Sequence, residues 1–456
     1  MGAVIDVDAP EPHRDSAAPS AEGTAAPSAE GTAAPPADST AAPADSASPH
    51  PLLDPPDQVA VAVVGAGAMG AGIAQVAAQA GHPVVLVDAQ PGAAEAAVDR
   101  LGRTFDRLVA KGKVTEDDAR ATLGRVTPHT TSDMTTVPGV RLVIEAVVEH
   151  LDVKRAIFRQ LESAQDPRTV LTSNTSSLSI DDIVGRATTG HDAAMHGGTS
   201  PALTHPGRVV GLHFFNPPPL MRLVEVITGR ASDAAVLDAA SELMRRWGKV
   251  PVRCTSTPGF IVNRVARPFY GEAQRMVEEG VADPATIDLA LRDAGFRMGP
   301  FELTDLIGQD VNFAVGESVW RQTGEDPRYE PTDWQRRLVR EGRLGRKSGQ
   351  GVFTYADGAA VDAEPDERRA SELVGGPLRT DPVARTLAML VNEGVDLVHR
   401  GEATAEDVDT AMTLGTNYPC GPHQWLDQIG AETVRAQLVE LDRLYPGGRY
   451  RPSEAL

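Results

Sequence analysis

The stretch VAVAVVGAGAMGAGIA, Val59–Ala74, decides the fold. It opens as an uncharged apolar run of strand length. It passes through Gly65, Gly67 and Gly70 in G-x-G-x-x-G spacing, then continues in small and apolar residues to about Ala80, which suits a helix. A second apolar run, PVVLVD, ends on Asp88, 23 residues after Gly65. Strand, glycine turn, helix, strand and acid in that order form a dinucleotide-binding unit. The first glycine permits the tight turn, the second lets the backbone approach a pyrophosphate, and the third lets helix and strand pack closely. The helix N-terminus favours the anion. Asp88 accepts hydrogen bonds from ribose hydroxyls and repels a 2′-phosphate, so the expected cofactor is NAD rather than NADP. The bland alternative is a glycine-rich turn that holds nothing. Val59–Val87 carries no charge and is long enough to imitate a membrane span. Its five glycines, with Gln75, Gln79, His82 and Pro83, fit a soluble strand–turn–helix better.

Downstream the alternation continues. A long helix is expected over 93–111, with Ala97, Leu101, Phe105, Leu108 and Val109 on its apolar face. RLVIEAV, TVLTSN and RVVGLHFF read as buried strands, separated by helices near 153–164 and 180–185. This alternation means an α/β fold with a parallel, doubly wound Rossmann sheet. After Pro258 the pattern turns helical, and there it repeats. EAQRMVEEGVADPATIDLAL (272–291) is answered by EGVDLVHRGEATAEDVDTAM (393–412) at an offset of 121, and later MGPFELTDLIG (298–308) is answered by CGPHQWLDQIG (420–430). At that offset Asn263 falls on Ala384 and Arg264 on Arg385. The expected organisation is a disordered Ala/Pro-rich tail over 1–57, an NAD-binding Rossmann domain over 58–257 and a helical domain over 258–357. A linker over 358–377 then leads to a second, degenerate helical copy over 378–456.

Composition bounds the rest. A length of 456 residues suits about three domains. Residues 17–48 repeat an eight-residue unit of the AAPSAEGT type, which cannot bury enough apolar surface to offset the entropy of ordering. The formal net charge of −20 argues against nucleic acid and anionic membrane as partners, though not against an anionic substrate. Cys254 and Cys420 lie far apart in no metal-type spacing, which suits a reducing, cytoplasmic setting without a disulfide framework. The acidic N-terminus lacks the basic start of a secretion signal. Lysine is rare: five stand against 38 arginines.

GLHFFNPPPLMRLVEVITG (211–229) raises the chemical question, because it sets an imidazole and a carboxylate in apolar runs. His213 ends a strand, so its ring should emerge at the carboxyl edge of the sheet, where such folds bind cofactor. The alternation of LVEVI is compatible with Glu225 facing it. A buried carboxylate on an imidazole fixes its tautomer and stabilises the protonated ring. That pair suits proton transfer coupled to hydride transfer at a secondary alcohol. A satisfied core histidine is the bland reading.

At this point residues 59–357 are seen to resemble the 3-hydroxyacyl-CoA dehydrogenases. The resemblance rests on VVGAGAMGAGIAQ, EAVVEHLDVKRAIF, SNTSSLSI, GLHFFNP, LVEV, TPGFIVNR, MGPFELTDLIG and GRLGRKSGQGVFTY, in that order. The second helical copy is similar to that of longer bacterial members acting on 3-hydroxybutyryl-CoA or 3-hydroxyadipyl-CoA. The resemblance implies an NAD-dependent (S)-3-hydroxyacyl-CoA dehydrogenase with an acyl-CoA substrate between the Rossmann and helical domains. It implies His213 as base, Glu225 as its partner, and Ser176 and Asn263 on the substrate. Gly65, Gly67, Ala68, Met69, Gly70, Asp88, Glu149, Lys154 and Asn216 would line the cofactor. Thr104 and Lys111 fall where the family contacts CoA, and no metal is implied. Structural readings stand beside these: a turn residue for Ser176, a helix cross-link for Asn263, a solvated helix face for Thr104 and Lys111, an ion pair for Glu149 with Lys154.

TGHDAAMHGGTSPALTHP (189–206) is a surplus between Ser176 and His213. Its His191, His196 and His205 lack regular metal spacing. A hydrolase triad of Ser176, His213 and Glu225 would lack a G-x-S-x-G elbow and leave the glycine motif idle. A same-fold dehydrogenase of free hydroxy acids and a non-catalytic NAD-binding relative also compete with the thioester dehydrogenase. A homodimer through the helical domains is expected, unless the second copy covers the first within one chain.

Overall fold

The computed structural model describes residues 50–185 and 202–456. Its sheet domain begins with β1 (Val61–Val64), α1 (Ala68–Gln79), β2 (Val84–Asp88), α2 (Ala93–Ala110), α3 (Glu116–Gly124) and β3 (Val126–Thr130). It continues with β4 (Leu142–Glu145), α4 (Leu151–Ala164), β5 (Val170–Ser173) and α5 (Ile180–Ile183), and ends with β6 (Val209–Phe214), β7 (Leu223–Thr228), α6 (Ala234–Arg246) and β8 (Val250–Thr255). The sheet order is β3-β2-β1-β4-β5-β6-β7-β8.

Strand periodicity builds a core on each face. Val61 and Val63 join Ile73, Ala77, Leu243 and Met244 on one side. Ala62 and Val64 join Phe158 and Leu161 on the other. Successive strand residues point to opposite faces, so an all-apolar strand is what a sheet covered by helices on both sides requires. On α2, Ala97, Leu101 and Phe105 are buried, whereas Leu108 and Val109 are only half-buried.

The expected all-parallel sheet needs one correction. β7 runs antiparallel to β6, with His213 paired to Glu225, and β8 returns parallel to β7. The connection from Phe214 to Leu223 is too short for a crossover, so only a hairpin can join the two strands. The sequence pattern also missed β3 and β8, the outermost strands. Pro128 and Pro251 interrupt them, as edge positions allow.

Helices follow: α7 (Val262–Val265), α8 (Arg267–Glu278), α9 (Pro284–Asp293), α10 (Pro300–Ile307), α11 (Gln309–Gln322) and α12 (Asp333–Arg340). A small hairpin, β9 (Tyr355–Ala356) and β10 (Ala359–Ala360), precedes α13 (Glu367–Leu373). The last part holds α14 (Pro382–His399), α15 (Ala405–Gly415), α16 (Pro422–Ile429) and α17 (Ala431–Leu444). The stretch expected as a bare linker contains α13, whose Ala370 and Leu373 are buried.

The two helical segments match in detail. Asp288 accepts from the amides of Phe301 and Glu302 at 2.9 Å each, and Asp409, 121 residues on, accepts from His423 and Gln424 at 2.8 and 3.2 Å. Where α14 is continuous, the first segment breaks between α7 and α8. Pro268 there lacks an N–H and crowds the carbonyl of Arg264, whereas Met389 at the corresponding position does neither.

Residues 1–49 lie outside the described set. Part of the remainder of the expected tail is packed: Leu52 is buried in the core that holds Trp247, and Arg246 Nη1 donates to Leu53 O at 2.7 Å, whereas residues 55–57 are exposed. Most of the surplus segment, residues 189–201 with His191 and His196, is also outside the described residues. His205 is exposed, with Nδ1 3.9 Å from Glu162. Among the described residues no helix is long and apolar enough to cross a membrane. Both cysteines are free thiols.

Candidate active site

The hairpin β6–β7 sets His213 directly opposite Glu225. Nδ1 of His213 lies 2.6 Å from Oε2 of Glu225. Glu225 is wholly buried, and its Oε1 accepts from the backbone amides of Ile261 and Val262 at 3.1 and 2.9 Å. Those amides belong to the start of α7, a helix end whose first N–H groups lack intrahelical partners and favour negative charge. The preceding turn delivers them: Gly259 and Phe260 both adopt positive φ, 78° and 48°. Phe260 and Phe215 flank the imidazole, with ring centroids 5.8 and 4.6 Å away. His213 is 5% exposed, and its Nε2 has no hydrogen-bond partner among the described residues. The carboxylate therefore fixes the proton on Nδ1 and leaves the Nε2 lone pair as the available base.

The second part is the turn after β5. Glu149 Oε1 accepts from Thr175 Oγ1 at 2.6 Å, from the amides of Ser176 and Ser177 at 2.9 Å each, and from Ser177 Oγ at 3.0 Å. Its Oε2 lies 3.3 Å from Lys154 Nζ. Buried Lys154 also meets Glu145 at 2.7 Å, and Glu145 accepts from Ser173 Oγ at 2.6 Å. Burial opposes ionisation of Glu149, but Lys154, Thr175, Ser177 and Ser176 outweigh it and hold its carboxyl below the usual range. Glu149 and Lys154, expected along the cofactor, thus build the turn that carries Ser176. Asn263 reaches that turn from α7, its Nδ2 donating to Ser176 O at 3.2 Å. Gln322 at the end of α11 donates to Ser177 O at 3.0 Å. The Ser176 hydroxyl takes no hydrogen bond from any described residue.

The glycine turn fits a dinucleotide. Gly65 has φ +106°, and a Cβ there would stand 2.6 Å from Ala146 O. One at Gly70 would stand 1.7 Å from Gly65 O, whereas one at Gly67 would meet open space. No side chain caps α1, so its first amides, around Ala68 and Met69, remain for an anion. Asp88 Oδ2 accepts from the amide of Ala66 at 2.7 Å, which ties the acid to that turn.

Other expected positions stand apart. Asn216 is exposed just beyond β6, where the following turn is held by Lys249 donating to Pro218 O and Met221 O at 2.5 and 2.8 Å. Burial pushes the Lys249 ammonium down to about 8. Thr104 bonds only along α2, to Arg100 O and Arg107 Nη2, and Lys111 is an exposed C-cap. None of these contacts joins them to the His213 cluster. Sequence reasoning singled out neither Glu145, Ser173 and Gln322 nor Arg100, whose Nη2 donates to Ala66 O at 3.2 Å. Glu145 and Ser173 lay inside recognised segments, but Gln322 and Arg100 gave no signal.

Comparison with known proteins agrees with this geometry. Residues 60–257 match the family described as 3-hydroxyacyl-CoA dehydrogenase, NAD binding domain. Residues 259–355 and again 382–456 match the 3-hydroxyacyl-CoA dehydrogenase C-terminal domain. The 3-hydroxyadipyl-CoA dehydrogenase of Escherichia coli K12 is 40% identical, over 87% of this chain and 96% of that protein. Human mitochondrial hydroxyacyl-coenzyme A dehydrogenase is 38% identical, over 65% of this chain and 90% of its own. A crystal structure of 3-hydroxybutyryl-CoA dehydrogenase from E. coli K12 superposes with a TM-score of 0.76 at 40% identity, covering 87% of this chain and 97% of that one. The chain belongs to the 3-hydroxyacyl-CoA dehydrogenase family and carries its NAD-binding domain.

Proposed function

We propose that the protein interconverts (S)-3-hydroxyacyl-CoA and 3-oxoacyl-CoA with NAD, in fatty-acid or aromatic-acid breakdown. The favoured substrates are 3-hydroxybutyryl-CoA and 3-hydroxyadipyl-CoA. The observation that carries this reading is the buried Glu225–His213 pair with Nε2 unengaged. NAD, when bound, supplies the hydride acceptor. His213 Nε2 takes the hydroxyl proton as C3 is oxidised and returns it in the reverse direction. Glu225 stabilises the imidazolium that forms. Ser176 Oγ and the Asn263 amide hold the substrate oxygen beside His213. Gly65, Gly67, Ala68, Met69, Gly70 and Asp88 bind the dinucleotide, and Asn216 lines the cofactor. Thr104 and Lys111 are assigned to CoA by the resemblance alone.

The two helical segments are, in this reading, copies of one module: their caps coincide, and the same family domain matches each. A cytoplasmic setting suits two free thiols. The test is NADH oxidation with acetoacetyl-CoA, paired with free acetoacetate. Turnover of the thioester alone is expected. Turnover of the free acid would move the protein to the hydroxy-acid dehydrogenases, and a protein that binds NADH but is silent with both would lose this reading.

A further inference from the structure

The turn after β5 is held on both sides of its backbone. From the sheet domain, Glu149 Oε1 accepts from the amides of Ser176 and Ser177 at 2.9 Å each. From the helices, two side-chain amides donate to the carbonyls of the same two residues. Asn263 Nδ2 of α7 lies 3.2 Å from Ser176 O, and Gln322 Nε2 of α11 lies 3.0 Å from Ser177 O. Every backbone N–H and C=O of Ser176 and Ser177 is therefore paired, although neither residue belongs to a strand or a helix. The Ser177 hydroxyl is spent on Glu149 as well, at 3.0 Å. Only the Ser176 hydroxyl has no partner among the described residues.

The two side-chain amides differ in what they have left. A primary amide carries two N–H donors. Gln322 spends both, one on Ser177 O and one on Ser318 Oγ at 2.7 Å, one turn back along α11. Asn263 spends one, on Ser176 O, and its second donor has no partner among the described residues. The base of Gln322 is also fixed. It is the last residue of α11, and the chain then turns through Gly324 and Glu325, both at positive φ, 74° and 62°. The amide of Glu325 returns to Trp320 O at 2.9 Å and that of Gly324 to Arg321 O at 3.1 Å, which ties off the helix end.

We propose that Gln322 is a positioning residue for the reaction. It fixes the Ser177 carbonyl, and with it the direction of the Ser176 hydroxyl, without touching substrate or cofactor. With Gln322 holding the turn, the spare donor of Asn263 is left for a substrate oxygen. The role rests on the proposal above that Ser176 faces that oxygen.

Gln322→Leu removes the donor and leaves Ser177 O unpaired, so kcat/KM for acetoacetyl-CoA should fall about tenfold while NADH affinity stays within about twofold. The same substitution in a Ser176→Ala chain should cost less than about twofold, because no hydroxyl is left to aim. An equal cost in both backgrounds, or a parallel loss of NADH affinity, overturns the inference. Gln322→Glu adds a check within one folded protein. At about pH 8 its carboxylate faces Ser177 O with no proton to donate, whereas at about pH 5 a part-buried carboxyl facing two oxygens can carry one. The ratio of wild-type to variant kcat/KM should therefore shrink as pH falls, and a ratio that does not move with pH overturns the positioning role. Ser176→Ala alone tells the two failures apart. Full turnover by that variant removes Ser176 from the substrate, and Gln322 loses its role with it. Slow turnover by Ser176→Ala beside normal turnover by Gln322→Leu removes Gln322 only.

Discussion

Glu225 divides its oxygens between two tasks, one on His213 and one on the amides that open α7. A carboxylate so placed couples the base to the helical part of the chain. The alternation in LVEVI was compatible with Glu225 facing His213, and the β6–β7 register pairs the two. The second partners of Glu225 were not legible, because Ile261 and Val262 lie 36 and 37 residues on and only the three-dimensional turn at Phe260 brings them back. The consequence for the base is testable. His213→Gln keeps a hydrogen-bonding side chain beside Glu225 but cannot take a proton at Nε2. We expect kcat to fall about 10²–10⁴-fold, with NADH affinity by fluorescence titration nearly unchanged. A fall of less than tenfold would remove His213 from the role of base.

At the scale of elements, the Ser176 turn is organised by a single carboxylate oxygen that accepts four donors. The two motifs that meet there were both legible, but their meeting was not. Apolar strand runs look alike whichever neighbours they choose, so the β4–β5 adjacency that joins Glu149 to Ser176 had to come from the sheet. The same blindness hid the antiparallel step at β7, since an apolar strand reads identically in either direction. Prolines and polar residues hid β3 and β8. Glu149→Gln separates the two roles open to that residue. Hydrogen bonds to a charged group contribute about 1.5–3 kcal/mol each, so a loosened turn should lower kcat/KM for the thioester about tenfold or more. NADH affinity should stay within about twofold if the turn is what Glu149 serves. A parallel loss of NADH affinity would return it to the cofactor, where the resemblance had put it.

Across the whole molecule, buried ion clusters rather than apolar surface alone join the helical segments, and that ties stability to acid. The recurring pattern was legible as an offset of 121, but not the contacts between the two helical segments, such as Arg328 with Glu393 and Arg449 with Glu272, which depend on how the segments face each other. Glu272 shows the effect on stability. Burial opposes its ionisation, yet Arg449, Arg385, Arg275 and Tyr450 outweigh burial and hold it down at about 2 against an ordinary 4.5. A carboxyl depressed on folding contributes stability that is complete above its unfolded value and is lost as pH falls through the folded one. The window for Glu272 is therefore between about 4.5 and about 2. Other carboxylates titrate there too, so the difference between wild type and Glu272→Gln is the informative quantity. At neutral pH the variant leaves Arg449 without its buried anion, while Arg385 keeps Glu279 at 2.9 Å, so the loss should be at most about 3–5 kcal/mol. Urea unfolding across the window should show the two stability curves converging as the wild type takes up the proton the variant never lacked. Curves that stay parallel down to pH 2 would mean that folding does not depress the Glu272 carboxyl, and the arginines would then not stabilise its charged form.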